Sequence, residues 1–354
     1  MLINLSFAGT KPTGLTTYAT NLVPNLQMPE ATLLIPPNRE GFADYKQHFI
    51  PDNLTSEHGK KGHLRRLIWT QFRLPQIYRE LRSPLLFSPI PEAPLWTGCR
   101  FVVMVHDLIP LHFSEWKSPL KYYFRYYVPQ VLKQAVHIIC NSQATADDMI
   151  KYYGISANKI TPILLAHDTQ NFRFLDLPTQ NYFIYVGRSD PYKNLGRILS
   201  ALTQLPKDYQ LWIVGPYDER YIPSLMAQAE ELGIADQVKV LDYVPYADLP
   251  KLINQAIALL FPSLWEGFGF PVLEAMACGT PVITSNLASM PEVAGDAALL
   301  INPYSVEELA SAMQRMVREE GVRSHLRQLG LARASQFSWK QTGSQTAEVL
   351  SQFL

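Results

Sequence analysis

Short apolar runs rich in Val, Ile, Leu and Phe recur along the whole chain, each bounded by turn residues and separated from the next by a longer segment with helical spacing. Nothing else in the sequence constrains the fold as tightly. A strand that reads as a continuous apolar run is buried on both faces, and helices alternating with such strands cover both faces of a parallel sheet. The expected class is therefore α/β. Strands are predicted near residues 2–7, 31–35, 85–88, 101–105, 138–141 and 160–164 in the first half, and near 183–186, 211–214, 238–241, 258–261, 282–284 and 298–301 in the second.

A chain of 354 residues can build two such domains, each with its own core. The polar, aperiodic stretch HDTQNFRFLDLPTQN at 167–181 is the natural junction, which divides the chain into 1–170 and 171–337. The crevice between two domains is the default ligand site, and open parallel sheets bind ligands beyond the carboxyl ends of their strands. Residues immediately after each strand therefore matter most.

The strongest motif follows a strand directly. In SLWEGFGFPVLEAMACGTPVITS, 263–285, two carboxylates, Glu266 and Glu274, bracket Gly267, Phe268, Gly269, Phe270 and Pro271. Proline suits the first turn of a helix, where its missing N–H costs least, so a helix is predicted from Pro271 to Ala277, stopping at Gly279. Backbone amides of the glycine loop and the positive end of the helix dipole favour an anion such as a diphosphate. Glu266 precedes that anion site and Glu274 lies one turn beyond it, so the two reach opposite ends of a ligand whose middle is phosphate. A nucleotide-sugar has that layout, and carboxylates accept charge-assisted hydrogen bonds from its hydroxyls. A plain helix start with a surface glutamate explains either carboxylate alone but not the whole set.

FIYVGRSDPYKNL places Gly187, Arg188 and Lys193 just after another strand, where two cations can converge on a leaving diphosphate and stabilise its developing charge without a metal. IVGPYDE puts Gly215 after a third strand, either as a ligand contact or as an ordinary turn glycine.

These elements, in the order VGRSDPYKNL, WIVGP, LDYVPYADLPKLINQA, LLFPSLWEGFGFPVLEAMACGTPVITSN and MPEVAGDAALLINP, make the second half resemble glycosyltransferase family 4 over nearly its whole length. The resemblance implies the GT-B architecture, two Rossmann-like domains facing across a cleft, and transfer of a sugar from a nucleoside diphosphate with retention of configuration. It places Glu266 near the sugar hydroxyls, Glu274 at the ribose, Arg188 and Lys193 at the diphosphate, and backbone near Val244 at the base. The last segment, FSWKQTGSQTAEVLSQFL, resembles the family's terminal helix, so 338–354 is expected to return to the first domain.

The first half is less explicit. KPTGLTTYATNL resembles the family's glycine loop bordering donor phosphate and acceptor, with Gly14 in it, although Thr13 stands where a second glycine is common. VMVHDLIPLHF sets His106 and Asp107 at the end of a strand; the family match implies that His106 contacts the donor sugar, with Asp107 orienting it or capping a turn. Asn141 and Ser142 follow another strand, and Ser142 or Thr145 is expected to cap the next helix. KKGHLRRLIWTQFRLPQIYRELR, 60–82, is either a surface helix whose aromatics face the core or a basic face lying on an anionic membrane that holds a lipid-linked acceptor. KYYFRYYVPQVL is a second aromatic-rich helix.

Composition closes other classes. Lys plus Arg and Asp plus Glu each number 31, so no net field draws the chain to nucleic acid. Three cysteines, Cys99, Cys140 and Cys278, each among apolar neighbours, read as reduced thiols rather than a disulfide or metal framework. No basic region precedes a long apolar run and no stretch approaches a membrane span, so a cytoplasmic protein, soluble or peripheral on the inner membrane face, is expected. No Gly-x-Gly-x-x-Gly follows a strand, which argues against a dehydrogenase.

The function expected is a retaining, metal-independent hexosyltransferase with no cofactor beyond its nucleotide-sugar co-substrate, acting on a hydroxyl acceptor, glycan or lipid-linked, in polysaccharide or glycolipid synthesis. The HDLIPLHF and EGFGFPVLEAMACGTPV segments look most like bacterial mannosyltransferases of surface polysaccharides, which points to GDP-mannose. The rivals are a glycosidase using the two carboxylates as acid and base, which leaves the cations idle, and a non-catalytic sugar-nucleotide-binding subunit.

Overall fold

A computed structural model describes residues 1–10, 13–37, 39, 41–113 and 119–354. The chain divides into two compact units: Met1–Leu165 with Ser338–Leu354, and Ala166–Phe337. Each is built on a parallel sheet with helical crossovers.

In the first unit the strands are β1 (Leu2–Asn4), β2 (Thr32–Ile35), β3 (Lys46–Phe49), β4 (Leu86–Ser88), β5 (Phe101–Val105), β6 (His137–Cys140) and β7 (Ile160–Pro162). They pair in the order β3-β2-β1-β4-β5-β6-β7. The second unit holds β8 (Tyr182–Val186), β9 (Gln210–Val214), β10 (Val238–Leu241), β11 (Leu259–Phe261), β12 (Val282–Ser285) and β13 (Leu299–Ile301), in the order β10-β9-β8-β11-β12-β13. Strand order reverses between β1 and β4 in one sheet and between β8 and β11 in the other. Such switch points open a crevice at the carboxyl ends of the strands, where doubly wound sheets bind their ligands.

The apolar runs become the buried strands: every residue of β5 is buried. β3 departs from expectation. Its KQHF is polar and only partly covered, and as the edge of the sheet it has one paired side and no core to fill. β1 is shorter than expected, because the Asn4 Oδ1 accepts from the Ser6 N at 3.2 Å and turns the chain out of the ladder. The Asn4 Nδ2 meanwhile donates to the Ser88 Oγ at 3.3 Å, joining β1 to β4 at the switch point.

Ser142 is the cap expected: its Oγ accepts from the Thr145 N at 3.1 Å at the start of the helix Gln143–Tyr153. The aromatic segment after residue 118 forms the helix Pro119–Tyr122, a π-helical turn at Tyr123–Tyr127 and the helix Val128–Gln134. Pro129 has no N–H to donate, which lets the ladder loosen in the preceding turn. The terminal helix Trp339–Ser351 belongs to the first unit, where the Thr342 Oγ1 donates to the Leu164 carbonyl at 2.8 Å. The 60–82 segment forms the helices Gly59–Phe72 and Leu74–Glu80, in which Trp69 is buried but Phe72 is 71% exposed. Among the described residues, no helix is long and apolar enough to cross a membrane.

Candidate active site

At the switch point of the second sheet, two loops are stitched together. The first leaves β8. Gly187 continues the ladder by donating to the Val214 carbonyl at 2.9 Å, and Gly215, after β9, lies so close that a Cβ on it would stand 2.0 Å from the Gly187 oxygen. Gly215 is thus required by backbone contact inside the unit. The Arg188 guanidinium, largely exposed, pairs with the buried Asp190 at 3.1 Å, and its carbonyl accepts from the Tyr185 hydroxyl at 2.5 Å. Burial, with Glu266 nearby, keeps that phenol protonated.

Lys193 ends the short turn Pro191–Lys193, and its Nζ donates to the Glu266 Oε1 at 2.5 Å; the two side chains are only 12% and 10% exposed. Asn194, in the left-handed region at φ 69°, donates from Nδ2 to the carbonyls of Pro262 at 3.0 Å and Pro303 at 2.7 Å. The Leu264 N donates to the Tyr192 carbonyl at 2.8 Å. The cationic loop and the glutamate loop therefore form one rigid edge.

The second loop leaves β11. The Ser289 Oγ sits 3.0 Å from the Glu266 carbonyl and 3.1 Å from that of Phe268, bracing Gly267 between them. Gly269 caps the helix Phe270–Ala277 at φ 96°, and a Cβ there would meet the Met290 Cε at 2.4 Å. The helix starts one residue earlier than expected, with Pro271 in its first turn and Gly279 just beyond its end. The helix begins four residues after Glu266 and turns the positive end of its dipole towards the loop that carries it.

Glu274 is half-buried, and burial first, then the charge of Asp168, pushes its carboxyl up to about 8. Asp168 accepts from the Tyr246 hydroxyl at 3.3 Å, and the Asn171 Nδ2 donates to the Tyr246 carbonyl at 2.8 Å. Those bonds anchor the loop after β10, which holds the half-buried Val244. The structure thus carries Gly187, Arg188, Lys193, Gly215, Glu266, Gly267, Phe268 and Gly269 on the loops after β8, β9 and β11, and Glu274 in the helix that follows the last of them. It adds Asp168, Asp190, Asn194, Tyr246 and Ser289, short polar or aromatic residues that read as turn and surface positions in sequence.

The first unit holds the remaining residues. Gly14 opens the helix Gly14–Asn25, capped by Thr13, with open space where a Cβ would stand. Lys11 and Pro12 of the glycine loop lie outside the described residues. Thr10, just before them, gives its N–H and hydroxyl to the Glu57 carboxylate at 2.6 and 2.7 Å. His106 follows β5, stacks edge-on against the buried Tyr18 at 4.8 Å, and lies with Nε2 2.9 Å from the Pro89 carbonyl. Burial pushes its imidazole down to about 4. The Asp107 Oδ1 accepts from the Ile109 N at 3.1 Å, so it caps the turn into the helix Ile109–His112.

Residues 168–332 match the family described as glycosyl transferases group 1, and residues 12–171 match glycosyltransferase family 4. The chain is 31% identical over 264 residues to O-antigen chain mannosyltransferase B of Escherichia coli, an alignment spanning 70% of this chain and 69% of that one. The chain belongs to glycosyltransferase family 4. This glycosyltransferase is also 29% identical over 328 residues to O-antigen chain mannosyltransferase RfbU of Salmonella typhimurium, covering 89% and 90% of the two chains. Among solved structures it resembles sucrose-phosphate synthase from Thermosynechococcus elongatus (TM-score 0.78, 19% identity, 99% and 98% covered). It also resembles Anabaena HepE in complex with UDP-glucose (TM-score 0.77, 21% identity, 99% of each). Both likenesses are of fold, and the fold is GT-B.

Proposed function

We propose that this glycosyltransferase moves mannose from GDP-mannose to a hydroxyl of a growing surface glycan, with retention at the anomeric carbon and without a metal ion. The observation that carries it is the Lys193–Glu266 contact at the β8–β11 switch point, beside Arg188 and the helix Phe270–Ala277. That arrangement sets two cations and a positive dipole end for a diphosphate next to a carboxylate for sugar hydroxyls. The bond from the anomeric carbon to the leaving phosphate oxygen breaks, the acceptor oxygen bonds to the same face of that carbon, and the acceptor proton passes to the departing phosphate. Arg188 and Lys193 stabilise the GDP released. Glu266 and His106 hold the sugar, Glu274 the ribose and backbone at Val244 the base. Mannose is supported by the relatives: besides the two O-antigen enzymes, an MMP α-(1→4)-mannosyltransferase of Mycolicibacterium hassiacum is 30% identical over 250 residues.

Thermal shift against GDP-mannose, UDP-glucose and ADP-glucose tests the donor. Stabilisation of several degrees by GDP-mannose alone, at concentrations well above its Kd, is expected; a protein blind to GDP and stabilised by UDP-glucose, the ligand named for the Anabaena neighbour, removes the mannose assignment. Transfer that persists in chelator, with an α-linked product from the α-linked donor, is expected for metal-free retention.

The acceptor is lipid-linked and met at the inner membrane face. Helix Gly59–Phe72 exposes Leu64, Ile68 and Phe72 along one stripe, flanked by exposed Lys60, Lys61 and Arg65, and contains no acidic residue. Apolar side chains framed by cations suit an anionic bilayer surface. Sedimentation with phosphatidylglycerol vesicles should be lost in the triple variant Leu64→Glu, Ile68→Glu, Phe72→Glu, while transfer to a soluble acceptor persists. Wild-type protein that stays in solution contradicts the membrane role.

A further inference from the structure

The segment after β4, SPIPEAPL at 88–95, runs along the switch point of the first sheet without belonging to any helix or strand beyond Ser88. Its backbone is held instead by side chains from two neighbouring helical segments. Arg66, on the buried face of Gly59–Phe72, donates from Nε and Nη2 to the two Glu92 oxygens, both at 2.8 Å, and from Nη1 to the Leu54 carbonyl at 3.3 Å. Arg66 and Glu92 are 5% and 3% exposed. The Arg66 Nη2 also lies 3.1 Å from the His63 Nδ1, which must accept because a guanidinium only donates. The Tyr123 hydroxyl reaches the Pro91 carbonyl and the Glu92 Oε1, each at 3.3 Å; Tyr127 and Gln71 both donate to the Ala93 carbonyl at 3.0 Å; and the Leu95 N donates to the Gln71 Oε1 at 3.0 Å. Pro89, Pro91 and Pro94 fix φ at three of the eight positions.

At the head of this clamped segment is the Pro89 carbonyl, 2.9 Å from the His106 Nε2. A carbonyl only accepts, so the hydrogen bond requires the proton on Nε2. Burial holds the ring neutral over the working pH range, and a neutral ring with its proton on Nε2 keeps a lone pair on Nδ1. Such a ring can accept a hydrogen bond from a sugar hydroxyl at Nδ1 and cannot give a proton there.

We propose that Arg66 and Glu92 are positioning residues for transfer: their buried pair fixes the 88–95 segment so that the Pro89 carbonyl selects the Nε2–H tautomer of His106 and leaves Nδ1 to accept a substrate hydroxyl. The inference rests on the assignment of His106 to the sugar but not on which nucleotide or sugar is used.

The double variant Arg66→Met, Glu92→Leu removes both charges together, because a lone buried charge would unfold the unit, whereas apolar replacement of a whole buried pair is commonly tolerated. Two readouts are taken on the full chain. Long-range proton–nitrogen correlation of the His106 ring should show the Nε2–H tautomer in the wild type and a mixture of tautomers in the variant. Steady-state transfer should show kcat lowered at least tenfold with donor KM within about twofold, because a hydroxyl held wrongly costs most in the transition state. A wild-type ring protonated on Nδ1, an unchanged tautomer in the folded variant, or an unchanged kcat overturns the proposal. Should the double variant not fold, Arg66→Lys keeps the charge but cannot donate from two nitrogens of a planar fork, and the same outcomes decide. Failure of the donor assignment is seen separately in the thermal-shift screen and leaves the tautomer result standing.

Discussion

Lys193→Met should slow transfer by roughly a hundred- to a thousandfold in kcat, the usual effect of removing one donor aimed at a developing negative charge. The ammonium has three N–H groups, and one is spent on the Glu266 Oε1 at 2.5 Å. Under the proposed assignment the other two reach a diphosphate seated at the start of the helix Phe270–Ala277, and Lys193 would bridge carboxylate and phosphate. Under the same assignment the second Glu266 oxygen would accept from a sugar hydroxyl. Glu266→Ala should therefore abolish transfer while circular dichroism stays native.

The pair also makes a quantitative claim. Each single variant strands a nearly buried charge, so each spoils the partner's role as well as its own. The double variant Lys193→Met, Glu266→Gln should be little worse than the poorer of the single variants Lys193→Met and Glu266→Gln, because both act on one interaction. Kinetic losses that multiply across the cycle would show two independent contributions and dismantle the bridging role. Full activity in Glu266→Ala would remove the residue from the site altogether.

The donor loops were legible because their chemistry is dense in sequence: two carboxylates, two close glycines and a proline within a few residues of a strand end leave few other uses. What joins them was not legible. Lys193 and Glu266 are 73 residues apart, and their direct contact depends on β8 and β11 being neighbours in the sheet. Asn194 and Ser289 brace the loops through backbone carbonyls, which give no sequence signal, and their side chains look like ordinary turn residues. Gly215 reads as a turn glycine until the Gly187 oxygen is found against it. β3 gives no sequence signal because its KQHF has no apolar run, unlike the edge strands β7, β10 and β13. In 60–82 the aromatics split: Trp69 joins Gly62, Arg66 and Thr70 on the buried face of its helix, whereas Phe72 falls in line with Leu64 and Ile68 on the exposed one.

Glu274 supplies a pH dependence whose sign follows from its environment. Burial, then Asp168, raises its carboxyl from the ordinary 4.5 to about 8. A folded-state value above the unfolded one means that folding takes up a proton, so the ligand-free protein loses stability as pH rises from about 4.5 towards 8. Ribose hydroxyls donating to Glu274 favour its ionised form and pull its value back down on binding. Donor binding then expels a proton, and affinity for a nucleotide-sugar should climb with pH, by at most about tenfold per unit, and level off above about 8. Of the groups facing Glu274, burial lifts the Cys278 thiol to about 12 and holds the Tyr246 phenol above its usual range, and Asp168 accepts from the Tyr246 hydroxyl and the Gln170 N–H. Calorimetry in two buffers of different ionisation enthalpy reads the proton directly, and a nucleotide-sugar is the proper titrant because its diphosphate, esterified at both ends, has no secondary proton of its own. Glu274→Gln should flatten the pH profile, and Glu274→Ala should weaken donor binding roughly ten- to a hundredfold, the worth of a charge-assisted hydrogen bond. If the wild type binds its donor equally well at pH 6 and pH 8 and releases no proton, Glu274 is already ionised or does not meet the ribose, and the donor cannot lie along this helix with its diphosphate at the start and its nucleoside one turn in.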